Sequence, residues 1–149
     1  MALAEFNIAH ARWPLEDPRM ADFRENTKRM NALAARSPGF LWRLDGAEAD
    51  ALIDGDPRMT WTLSVWETAE ALAHFAFRTV HRQFFRRRAE WFPVLDHVAI
   101  TLWEVAPDAR PTLAEALQRK ARLDAEGPGA HAFGWERFPH LQQLRSEVA

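Results

Sequence analysis

The chain has 149 residues, 48% of them apolar, with 19 basic against 21 acidic side chains and a formal charge of −2. That is the size of one domain able to bury roughly two-thirds of its unfolded surface, which excludes a disordered or low-complexity chain. The balanced charge argues against nucleic acid as a partner, and the absence of cysteine excludes disulfides, thiolate catalysis and cysteine-ligated metal.

No apolar run approaches the roughly 20 residues of a membrane span, so no membrane partner is expected. The stretch MALAEFNIAHARW has no signal-peptide pattern, and the lack of cysteine fits a cytoplasmic setting. Seven tryptophans and ten phenylalanines against no tyrosine point to a ring-lined interior, a subunit interface, or both.

Leu3 to Ala11 alternates, with Ala4, Phe6 and Ile8 on one face and Glu5, Asn7 and Ala9 on the other, which predicts a strand. Asp17-Pro18 supplies a cap and a proline for the start of a helix whose stripe is Met20, Phe23, Thr27, Met30 and Ala34. Pro38-Gly39 stops it. A second strand, Phe40 to Leu44, sets Phe40, Trp42 and Leu44 against Leu41 and Arg43. Asp45 to Pro57 reads as a loop with a helical turn. The tetrapeptide Asp-Pro-Arg-Met, found at Asp17 and again at Asp56, reads as repeated use of a good turn-former.

Thr60 to Val65 sets Trp61, Leu63 and Val65 against Thr60, Thr62 and Ser64. Thr68 then caps a helix with Leu72, Phe75 and Thr79 on one stripe; the segment runs to Phe92 with an expected break near Thr79-Val80. His97 to Val105 is a fourth strand, with Val98, Ile100 and Leu102 opposite Ala99, Thr101 and Trp103. The capping box Thr112-Leu113-Ala114-Glu115 opens a third helix that Gly127-Pro128 ends. Phe133-Gly134-Trp135 reads as a short strand or arm, and residues after Pro139 as a loosely held helix or frayed end.

The order strand, helix, strand, strand, helix, strand predicts an α+β fold: a ferredoxin-like βαββαβ antiparallel sheet with helices on one face. One domain is expected over residues 1–135, followed by a C-terminal tail over 136–149, and the fold is expected to carry an extra C-terminal helix. The sheet face carrying Leu41 and Trp103 is too apolar to stay wet, which predicts a homodimer with two sheets face to face.

A strand ending Leu63-Ser64-Val65-Trp66-Glu67-Thr68, then a helix, then Val98-Ala99-Ile100-Thr101-Leu102-Trp103, resembles the dimeric α+β-barrel superfamily. That group includes antibiotic-biosynthesis monooxygenases and haem-degrading monooxygenases. Phe6-Asn7-Ile8-Ala9, Ser37-Pro38-Gly39-Phe40, Val65-Trp66-Glu67 and His81-x-x-Phe84…Trp91-Phe92 more closely resemble an uncharacterised bacterial family within it, over roughly residues 3 to 135. The resemblance implies a dimeric barrel that oxygenates or rearranges an aromatic or polyketide-like substrate without a cofactor. Those relatives use an Asn on the first strand, a Trp about two turns into the second helix and, in haem degraders, a His as iron ligand. Asn7 matches the first, Phe75 stands where the Trp is expected, and His81 matches the His at a shorter spacing.

The candidate catalytic residues are therefore His81, Asn7 and Arg78, with Trp66, Phe75, Arg82, Trp91 and Trp103 as ligand-binding candidates. His81 stands beside the expected helix break, as a general base, a haem ligand, or a structural histidine bonding a carbonyl. Asn7 is placed to donate an amide hydrogen bond to a carbonyl or oxyanion, and Arg78 and Arg82 to clamp a carboxylate. His74 and His81 could share a face, but no carboxylate completes a site, and no metal is expected. Arg86-Arg87-Arg88 reads as a solvated face or as partners for acids. Trp42, Trp61, Trp66, Trp91 and Trp103, from different elements, line one pocket or fill a core. Three readings stay open: an enzyme or binder of a small apolar molecule needing no cofactor, a non-catalytic interaction protein, and a haem-binding protein using His81.

Overall fold

A computed structural model of the chain describes residues 1–78, 87–93 and 99–146. Four strands, β1 (Ala2–His10), β2 (Phe40–Arg43), β3 (Met59–Trp66) and β4 (Ala99–Val105), form one antiparallel sheet in the order β2-β3-β1-β4. Helix α1 (Ala21–Ala35) connects β1 to β2 across β3, and α2 (Ala69–Arg78) opens the connection from β3 to β4 across β1. This is the ferredoxin-like βαββαβ arrangement expected from the sequence, and the fold class is α+β. The expected helix break at Thr79-Val80 and the start of the fourth strand at His97-Val98 lie outside the described residues. Residues 87–91 are helical.

Local chemistry explains the element ends. Asp17 accepts the backbone N–H of Arg19 and starts a short 3-10 turn, Pro18–Met20, ahead of α1. Asp56, in the second copy of the tetrapeptide, accepts the N–H of Arg58 in the same way, so the repeat is a repeated Asx turn. Thr68 caps α2 through the N–H of Ala71. Gly39 stands at φ 85°, and a β-carbon there would sit 2.5 Å from Ala71 Cβ. Glycine is what lets the α1–β2 turn close against α2.

Within β2 the strict alternation expected of Phe40–Leu44 fails. A register shift between Phe40 and Trp42 pairs Phe40 with Trp66, Trp42 with Val65 and Arg43 with Ser64. The irregularity turns Phe40 and Arg43 to the face under α1 and α2, while Leu41 and Trp42 pack on the other side.

The two sheet faces carry different interiors. On the face away from α1 and α2, Ala2, Ala4, Phe6, Ile8, Leu63, Val65 and Trp103 form one buried cluster. It is closed from within the same chain by α3 (Leu113–Glu126), which contributes Ala116, Leu113 and Leu117, and by Ile53 of the β2–β3 loop. Thr112 caps α3 by accepting the N–H of Glu115. Arg119 lays its guanidinium 5.2 Å above the Trp103 ring. The premise of the face-to-face dimer, an uncovered face at Trp103, is thus replaced: Trp103 is fully buried in the single chain.

On the other face, Leu3, Trp66, Leu72, Ala73 and Phe77 pack together with Trp135 and Leu141. Phe133 exchanges two backbone hydrogen bonds with Leu102 at the outer edge of β4, at 2.9 and 2.8 Å, as an isolated bridge. α4 (Pro139–Ser146) follows and lays Leu141 into this cluster. Among the described residues no helix is long and apolar enough to cross a membrane.

Candidate functional site

Alternation along β1 and β3 puts Glu5, Asn7, Ala9, Thr60, Thr62 and Ser64 on the face that α1 and α2 cover. Small and polar side chains there cannot fill the space beneath a helix. A cavity of about 530 Å³ results, bounded by this floor, by α1 and α2, and by Arg88 and Phe92. Its size is that of a small organic ligand. Phe23, Phe40, Trp66, Phe75 and Phe92 give it aromatic walls, and residues 49–52 of the β2–β3 loop stand at its rim.

The floor is organised in cross-strand rows. Arg43, Ser64 and Glu5 lie side by side on β2, β3 and β1, and Thr62 and Asn7 form the next row. The Trp66 indole N–H donates to Ser64 Oγ at 3.0 Å, and Ser64 in turn donates to Glu5 Oε2 at 2.8 Å. Trp66 is itself held by Phe75, stacked with ring centroids 5.3 Å apart, and by Phe40, edge-on at the same distance. Glu5 is only 6% exposed. Burial pushes its carboxyl up to about 7, against the hydrogen bonds of Ser64 and Asn7 that favour the charged form. Arg43 Nη2 approaches Asp45 at 3.6 Å, while its buried Nη1 has no hydrogen-bond partner among the described residues.

The structure brings together Asn7, Trp66 and Phe75 of the expected site residues. Arg78 is exposed at the end of α2 and does not line the cavity. Trp91 is buried beside it, edge-on to Phe23 at 5.5 Å and under the Arg87 guanidinium, without lining it. Trp103 belongs to the opposite face and takes no part. His81 and Arg82 lie outside the described residues. Of the five tryptophans weighed for one pocket, Trp61 and Trp66 border the cavity, and Trp61 turns its ring to Phe6 and its indole N–H to the Ala51 carbonyl. In the arginine run, Arg87 pairs with Glu90 and Asp22 of its own chain, and Arg88 lines the cavity.

No histidine among the described residues lines the cavity; His10 and His140 pair with Asp56 and Glu70 at the surface. Nor does any group of three or more His, Asp or Glu among those residues stand ready for a metal ion. Glu5 is the residue that sequence reading passed over. The available signal was collective: five polar side chains, Glu5, Asn7, Thr60, Thr62 and Ser64, alternate with apolar neighbours along two strands.

The family described as a domain of unknown function (DUF3291) matches residues 2–147. The chain belongs to that family. No curated protein matches it. Among solved structures it is similar to SnoaB, a cofactor-independent oxygenase from Streptomyces nogalater, at 18% identity and a TM-score of 0.43. The likeness covers 75% of this chain and 96% of SnoaB.

Proposed function

We propose that the chain binds a small, flat, largely apolar molecule in the cavity between the sheet and its helices. The observation that carries this reading is the contrast inside one 530 Å³ space: aromatic walls over a floor bearing Asn7, Ser64 and Glu5. Stacking on the half-buried rings of Phe75 and Phe40, which Trp66 holds in place, supplies affinity, and the Asn7 amide orients a carbonyl or other oxygen of the ligand. The proposal extends to oxygenation without a cofactor, dioxygen being the oxidant and the substrate the source of electrons. The resemblance to the antibiotic-biosynthesis monooxygenases supports that extension, with Asn7 at the matching strand position.

Titration with flat aromatic ligands, followed by tryptophan fluorescence, tests the reading. Saturable quenching is expected, and Asn7→Ala should weaken it about tenfold, the worth of one buried hydrogen bond. Uniformly flat titrations would remove the cavity reading and leave a non-catalytic interaction protein. A homodimer belongs to the same proposal on the resemblance alone, since α3 covers the sheet face at Trp103, and a cytoplasmic setting on the cysteine-free composition. Light scattering should return twice the 17.2 kDa of the chain, and a monomer mass would count against it.

A further inference from the structure

Resting on the cavity-binding reading, we propose that Glu5 is the proton acceptor of the site. Its ligand is then a weakly acidic hydroxyl compound, a phenol or an enol on a flat ring system, and not a carboxylate. The geometry gives Glu5 three properties of a base. It lies in the cavity floor, one cross-strand step from Ser64 and two residues from Asn7 on the same face. The Trp66–Ser64 relay fixes one carboxylate oxygen from the side, so the group keeps a set orientation without being neutralised. Among the described residues the cavity's cations are Arg24 and Lys28 of α1, Arg43 and Arg88, its other acids are Glu16, Asp45 and Asp50, and what sets the state of Glu5 is burial first, opposed by Ser64 and Asn7.

A carboxyl whose proton leaves near neutrality accepts a proton from a phenol far more readily than an ordinary glutamate does. The step is a plain transfer. The ligand O–H bond breaks, its electron pair stays on the ligand oxygen as phenolate or enolate, and a new O–H bond forms on Glu5. Nothing is oxidised or reduced. A carboxylate ligand, already ionised near neutrality, has no proton to give Glu5 and so does not enter this step.

The test uses 2-hydroxyanthraquinone, whose anion absorbs to the red of its neutral form, at a pH one unit below the dye's own pKa. Binding is read by quenching of tryptophan emission, proton transfer by the red band. The wild-type chain should quench and show the band. Glu5→Gln, which keeps the volume and an oxygen for the Ser64 hydrogen bond, should lose most of the red band per dye bound, the two proteins being compared at equal quenching. Ser64→Ala, by withdrawing a donor from the carboxylate, should strengthen it. Quenching with no red band, or a band equal in the wild type and Glu5→Gln, overturns the inference and leaves the binding reading standing. Absence of quenching overturns both.

Discussion

Glu5→Gln is expected to make the protein more stable at pH 8 by about 3 kcal/mol, and to have little effect at pH 4.5. A carboxyl held at about 7 against an ordinary 4.5 favours its neutral form in the folded state by that amount, at ~1.4 kcal/mol per pH unit. The sign follows from where the proton sits. Near pH 4 Glu5 is protonated folded or unfolded; as pH rises, the unfolded chain releases the proton first, so wild-type stability falls from about pH 4.5 and levels off above about pH 7. Asp17, Asp56, Glu70 and Glu126, all lowered, act in the opposite direction and below that window. Urea unfolding of both proteins from pH 4 to 8 isolates Glu5, because every other group cancels in the difference. A difference independent of pH would show that Glu5 titrates as an ordinary surface glutamate. A carboxylate kept where a glutamine would hold the fold better is what a working group looks like in the stability of its own protein.

The fold was legible because each element carries its own punctuation. Alternation from Leu3, the caps Asp17, Thr68 and Thr112, and the stop at Pro38-Gly39 are local signals, and six elements in that order leave few topologies. Pairing register is not local. β1 lies between β3 and β4, neither of which follows it through a tight turn, so the placing of Glu5 beside Ser64 becomes visible only in the assembled sheet. The same limit governs Arg43, which one irregularity in β2 carries to the opposite face from the one strict alternation assigns. The capping box announced α3, yet its covering of the Trp103 face depends on the path of residues 106–112, which no periodicity records. Asn7, Trp66 and Phe75 were found as single residues because an amide or a large ring on a buried face stands out. A lone glutamate alternating with apolar residues reads as a wet strand face.

Trp103→Ala and Phe75→Ala are expected to separate stability from binding. Trp103 lies fully buried with Ala4 as its cross-strand partner, under Arg119, among residues of both β1 and α3. Removing the indole leaves a void in the cluster that joins α3 to the sheet, at a cost of about 3–5 kcal/mol. Part of that loss is offset, because the indole N–H has no hydrogen-bond partner among the described residues and its desolvation is recovered on truncation. Phe75 is half-buried at the cavity wall with its ring stacked on Trp66, so truncation there costs less, about 1–2 kcal/mol, and removes a face on which the ligand would lie. Urea midpoints should therefore rank Trp103→Ala as the more damaged protein. Ligand titrations, run where both variants are folded, should rank Phe75→Ala as the weaker binder by tenfold or more and leave Trp103→Ala near wild type. Equal loss of affinity in the two would mean that the faces communicate through β1, and the assignment of the site to one side of the sheet would fail.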